Sequence, residues 1–103
     1  MSTPTQRTLA HLRGLGYLAV VVERWNPHAG VRQDLYGIVD VLAVKSGETV
    51  GVQATSGSNV AARLKKITEH ENLPKLREAG WRLLIHGWAK KRGRWTLREL
   101  DLS

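Results

Sequence analysis

Asp34-Leu35-Tyr36-Gly37-Ile38-Val39-Asp40-Val41-Leu42-Ala43-Val44, followed after Lys45-Ser46-Gly47-Glu48 by Thr49-Val50-Gly51-Val52-Gln53-Ala54-Thr55, is the stretch on which the fold turns. Its residues from Ile38 to Val44 are apolar on both alternating faces, which predicts a central strand covered on both sides. The Lys45–Glu48 segment has the composition of a hairpin loop. Thr49–Thr55 then predicts a partner strand, with Val50, Val52 and Ala54 on one face and Gln53 and Thr55 on the other. Asp40 is the oddity in this run. An ionised carboxylate inside an apolar strand is costly unless it is paired with a cation or bound to a metal. Satisfaction by an arginine or by backbone amides is the structural alternative, a metal ligand the functional one. Asp34 lies six residues upstream, with Gly37 between. A bend at Gly37 lets the two carboxylates converge, whereas a straight strand holds them about 20 Å apart.

Upstream, Thr3-Pro4-Thr5-Gln6 has the form of a capping box with proline in the first turn, and Leu9, Leu12 and Leu15 follow at helical spacing. Gly14 and Gly16 supply the stop. Tyr17 to Val22 is β-branched and predicts a strand running to about Trp25, before the turn residues Asn26-Pro27-His28-Ala29-Gly30. Downstream, Ser56-Gly57-Ser58-Asn59 breaks the third strand and opens a helix with Val60, Leu64 and Ile67 on one stripe. Pro74 restarts a short helix that ends at Gly80. Two strands follow, Trp81 to Trp88 and Arg94 to about Leu102, joined by the basic loop Ala89-Lys90-Lys91-Arg92-Gly93. The order α-β-β-β-α-β-β predicts one α/β (α+β) domain over residues 1–103, a central mixed sheet flanked by helices.

The 103 residues hold 16 Lys+Arg against 9 Asp+Glu, a formal charge of +7, and no cysteine. That balance favours a polyanionic partner, DNA or RNA. Without cysteine there is neither a disulfide scaffold nor a thiolate zinc site. No stretch approaches the ~20 apolar residues of a membrane span, and the start lacks a secretory profile, so a cytoplasmic protein with no membrane partner is expected. No glycine-rich phosphate loop suggests an organic cofactor. Ser56, Asn59, Arg63 and Lys66 at the start and side of the second helix, with Lys90, Lys91 and Arg92 in the loop, are the candidate DNA contacts. Trp25, Trp81, Trp88 and Trp95 are read mainly as sheet packing, since three of them fall in or at the ends of expected strands. Of the four histidines only His86, inside a strand, stands out.

Asp40 on the second strand, Gln53-x-Thr55 on the third and a basic helix after them together resemble the PD-(D/E)XK nuclease superfamily, in particular small phage or prophage, resolvase-like and VRR-NUC-type domains. The resemblance spans the chain from the first helix to the fourth strand, on a short motif. It implies the restriction-endonuclease-like fold and a metal-dependent DNA endonuclease that hydrolyses phosphodiester bonds, for example in branched or phage DNA, sometimes as a homodimer. It also implies one or two Mg²⁺ or Mn²⁺ ions held by Asp40, by Gln53 in the place of the motif acid and by the backbone carbonyl of Ala54, with Thr55 in the place of the motif lysine. The last two side chains depart from the pattern. An amide adds no charge to a hard-cation site, and a hydroxyl cannot act as an ammonium. Lys45, Arg63 and Lys66 are candidates for a relocated lysine, Asp34 and Glu23 for a relocated acid. The alternatives are an inactive nucleic-acid-binding module on the same fold and a basic RNA-binding protein of unrelated fold.

Overall fold

The first helix begins where its capping box puts it. In the computed structural model, which describes residues 2–103, α1 spans Pro4–Gly14. The Gln6 N–H donates to Thr3 Oγ1 at 3.2 Å and the Thr3 N–H donates to Gln6 Oε1 at 3.1 Å. Two of the helix's orphan donors are thereby satisfied. Its buried side chains, Thr8 and Leu12, face the sheet.

The strands in chain order are β1 (Leu18–Val21), β2 (Arg24–Asn26), β3 (Val31–Gln33), β4 (Val41–Lys45), β5 (Glu48–Ser56), β6 (Arg82–Lys91) and β7 (Arg94–Asp101). Five of them form one sheet in the order β1-β4-β5-β6-β7. All its neighbours are antiparallel except β5 and β6, which run parallel. A parallel pair needs a crossover, and the chain supplies it with a 3-10 turn (Gly57–Asn59), α2 (Val60–Thr68) and α3 (Leu73–Glu78). The result is a mixed α+β architecture with a core on each face. On one side α1 packs Leu12 against Ala19, Val41, Ala43, Val50, Val52 and Leu84. On the other, Val60, Ile67, Leu73 and Leu76 of the crossover cover Ile38, Val39, Leu83 and Ile85. Among the described residues no helix is long and apolar enough to cross a membrane.

Two expectations need correction. The strand starting near Tyr17 stops at Val21 rather than about Trp25, because residues 24–33 leave the sheet and pair with each other as a separate two-stranded ribbon, β2–β3. The next strand starts at Val41 rather than Ile38, so Asp40 lies at its entrance and not at its middle. Ile38 and Val39 are buried by a tight turn, closed by the Leu35–Val39 bridge, instead of by a strand. The apolar run is real, but its first two residues fill the core from a turn.

This topology sets one end of the sheet apart. Because β4 runs antiparallel to β5 and β5 parallel to β6, the chain enters β4 from the end toward which β5 and β6 run, with Val41 opposite Val52 at the middle of β5. The ribbon, the start of α2 and the β6–β7 hairpin all leave the sheet at that end.

Candidate acidic site

Three carboxylates meet at that end. Glu23, Asp34 and Asp40 each offer an oxygen, and the three atoms lie within 4.8 Å of one another. Glu23 follows β1, Asp34 follows β3, and Asp40 precedes β4, so the two ends of the ribbon and the entrance of the central strand carry one acid each. What folds Asp34 back onto Asp40 is the turn between them. Tyr36 (φ 56°) and Gly37 (φ 76°) both adopt left-handed backbone, and the Gly37 N–H bonds the Asp34 carbonyl at 3.0 Å. Glycine is required at 37 for two reasons: it takes positive φ without strain, and any Cβ would run into the His70 ring.

Asp40 is 4% exposed. Its backbone bonds both neighbours, N–H to the Val52 carbonyl at 2.9 Å and carbonyl from the Val22 N–H at 2.8 Å. Its Oδ2 accepts the Ala54 N–H at 2.9 Å. Burial, together with the hydrogen bond to Asp34 and the charges of Asp34 and Glu23, pushes the Asp40 carboxyl up to about 8 in spite of that amide. Burial also pushes Asp34 upward. The hydrogen bond from Asp40, the Gln53 amide and the charges of Lys66 and Arg63 outweigh it, and hold Asp34 below the usual carboxylate range. The pair therefore shares one proton at neutral pH, with Asp40 the proton holder.

Gln53 is 1% exposed and spends its amide on the site's geometry. Its Nε2 donates to the Ile38 carbonyl at 2.7 Å and to Asp34 Oδ2 at 3.2 Å, while its Oε1 accepts from Arg63 Nη1 at 3.1 Å. The side expected to ligate a cation is thus turned to Arg63, and the side facing the carboxylates is a donor. In this arrangement Gln53 braces Asp34 and is not placed as a ligand. Ala54 directs its N–H at Asp40, and a strand residue's carbonyl shares the edge of its N–H, so that carbonyl lies on the acid side of β5. Thr55 is 5% exposed, and its hydroxyl has no hydrogen-bond partner among the described residues.

Thr55 lines a cleft of about 570 Å³ whose walls include Thr3, Gln6, Glu23, Arg32, Ser56, Asn59 and Arg63. Ser56 and Asn59, expected to contact DNA, therefore face the same space as Glu23, and Arg63 reaches it from α2. Lys66 stands 3.8 Å from Asp34 Oδ2. Arg32 pairs with Glu23 at 2.7 Å and ties β3 to the site. Lys45 is not brought in: it sits at the far end of β4 and donates to the Leu15 carbonyl at 2.7 Å. Lys90, Lys91 and Arg92 share the site's end of the sheet but not its floor. His86 pairs with Ala54 across the ladder, and Lys90 lies four residues further along, about 13 Å at strand rise.

The chain matches no family model and no curated protein.

Carboxylate oxygens are the ligand type that hard divalent cations take, and Glu23, Asp34 and Asp40 are the residues that could hold one. A cation there would offset the charges of Asp34 and Glu23, which add to the effect of burial in keeping Asp40 protonated. Glu23, which the sequence offers only as a candidate for a relocated acid, lies in the cluster itself. The signal was the isolated acid between the end of an apolar strand and a basic segment, but its convergence with Asp34 depends on a ribbon whose three-residue strands have no readable alternation. His86 lies outside this site. It is fully buried, bonded to Thr8 at 3.1 Å and to Glu99 at 2.9 Å.

Proposed function

We propose that this protein is a metal-dependent phosphodiesterase acting on nucleic acid, DNA in the first place, on a restriction-endonuclease-like core, with Glu23, Asp34 and Asp40 as the cation-binding residues. The observation that carries this reading is the convergence of those three carboxylates to within 4.8 Å beside a cationic cleft. A bound Mg²⁺ or Mn²⁺ supplies Lewis acidity at the phosphate and acidifies water for attack.

The chain's own residues have separable roles. Asp40 would have to give up its proton to ligate a cation, so loading would be coupled to proton release. Gln53, clamped by Arg63, keeps Asp34 turned toward Asp40. The Thr55 hydroxyl is free to donate to a phosphate oxygen in the cleft, and the Ser56 side chain is next to it. The Arg63 guanidinium and the Lys66 ammonium provide positive charge where a phosphate would lie.

The direct test is incubation of plasmid, single-stranded and branched DNA with the protein in Mg²⁺, Mn²⁺ or EDTA. Cleavage is expected only with the metals and is expected to fall to background in Asp40→Ala. Undiminished cleavage by that variant refutes the site. A second reading, a nucleic-acid-binding module on the same core, draws support from Gln53 facing the acids with its donor side and from a hydroxyl at Thr55. It predicts salt-sensitive binding with no cleavage in either metal.

A further inference from the structure

The ribbon β2–β3 stands apart from the main sheet. It forms its own sheet, hydrogen-bonded to no strand of the other, and five of its six strand residues are exposed. A free two-stranded ribbon is marginal in water. This one is held at both ends: the Arg32–Glu23 pair ties its base, and its tip is closed by Asn26. Asn26 Oδ1 accepts the N–H groups of His28 (3.0 Å) and Ala29 (3.2 Å), and its carbonyl accepts the Gly30 N–H at 2.9 Å. The ribbon is thus pre-shaped rather than a loose loop.

On it Trp25 is 62% exposed, and its indole N–H donates to nothing among the described residues. Trp25 pairs with Arg32 across the ladder, so the two side chains share a face. With Arg24 and Glu23 they line a notch of about 190 Å³. Residues 24–33 hold two arginines and a histidine and no acid, on a chain of formal charge +7. An exposed aromatic face beside the Arg32 guanidinium fits a planar base attached to a phosphate. The placement agrees: Trp25 is two residues from Glu23, about 7 Å at strand rise. That is the span of about two stacked nucleotides at 3.4 Å each.

We propose that Trp25, with Arg32 beside it, is a stacking platform for an unpaired base one or two nucleotides from the acidic site, so that the partner is a single-stranded, frayed or flapped nucleic acid rather than continuous duplex. A base inside a duplex has both faces covered and cannot use such a platform; an unstacked one can. The identity of the neighbouring site rests on the phosphodiesterase reading, but the platform is measured without it.

Binding is followed in EDTA, by fluorescence anisotropy, with a labelled single-stranded oligonucleotide and the blunt duplex of the same sequence. The wild type is expected to prefer the single strand. Trp25→Ala is expected to weaken that binding roughly 5- to 150-fold, the range of one base–aromatic stack, and to leave duplex affinity unchanged. Trp25→Phe should keep most of the affinity. A 2-aminopurine base in the strand should be quenched by the wild type and not by Trp25→Ala. Equal single-strand affinity in Trp25→Ala, parallel losses for strand and duplex, or no single-strand binding by the wild type overturns the platform. Cleavage is scored separately with Asp40→Ala. A Trp25 effect on binding without metal-dependent cleavage upholds the platform and defeats the phosphodiesterase reading; cleavage without a Trp25 effect does the reverse.

Discussion

Asp40 shows at the residue scale how an unfavourable group is kept. Burial and the neighbouring acids push its carboxyl up to about 8 in the folded chain, from an ordinary value near 3.8 when unfolded. Between those values the folded state holds the extra proton, so this residue makes stability fall as pH rises from about 4 to about 8. Asn at 40 copies the protonated acid, with an oxygen for the Ala54 N–H and an amide donor for Asp34. Asp40→Asn is therefore expected to match the wild type near pH 4 and to melt higher by roughly 5 °C or more at pH 8, checked by thermal melts across that range. Parallel melting curves would show that Asp40 is not the proton holder. Added Mn²⁺ should raise the wild-type melting point at pH 8 and do so less in the variant, since binding to the folded form stabilises it. Asp40 and Asp34 were legible in the sequence because an acid beside an apolar run demands a partner. Gln53 was legible as a site residue but not in its orientation, which depends on Arg63 one helical element away.

Among the elements, α1 is the one whose start was readable to the residue, since a capping box is a local hydrogen-bond device. How it docks was not readable, because the contact joins residues 78 and 80 positions apart. The Trp88 indole N–H donates to Thr8 Oγ1 at 2.9 Å, and an indole can only donate. The Thr8 hydroxyl hydrogen is then free to donate to His86 Nδ1, which leaves His86 Nε2–H to donate to Glu99. Burial holds His86 below its ordinary value, despite Glu99. Its contribution to stability is present above about pH 6.5 and is lost as pH falls toward the folded value. Thr8→Val keeps the shape and removes both partners, and is expected to cost about 2–4 kcal/mol in urea denaturation, with Thr8→Ser much milder. A Thr8→Val loss within about 0.5 kcal/mol, as for a surface change, would mean that the network does not hold the helix. The ribbon is the element that sequence could not supply. Three-residue strands give too few positions for a period-two pattern, so Trp25 was grouped with core aromatics although it is exposed.

Across the whole molecule, the parallel step from β5 to β6 decides which charged elements leave the sheet together. It sends the start of α2 and the β6–β7 hairpin off the same end of the sheet as the ribbon, so Arg32, Arg63 and Lys66, far apart in sequence, stand beside three of the nine acids. A strand of nucleic acid lying from the acidic site toward the hairpin would leave Lys90 and Lys91 as phosphate contacts about 13 Å away. Contacts of this kind act through counterion release and carry no preference for base or for strand pairing. The double variant Lys90→Ala/Lys91→Ala is therefore expected to weaken single-strand and duplex binding together. The slope of log affinity against log salt should become shallower by about 0.7 for each lysine lost on single strands. Anisotropy titrations over a salt series measure it. An unchanged slope would confine binding to the cleft and the ribbon, whereas a change in single-strand preference would mean that the hairpin, and not Trp25 alone, reads strand pairing.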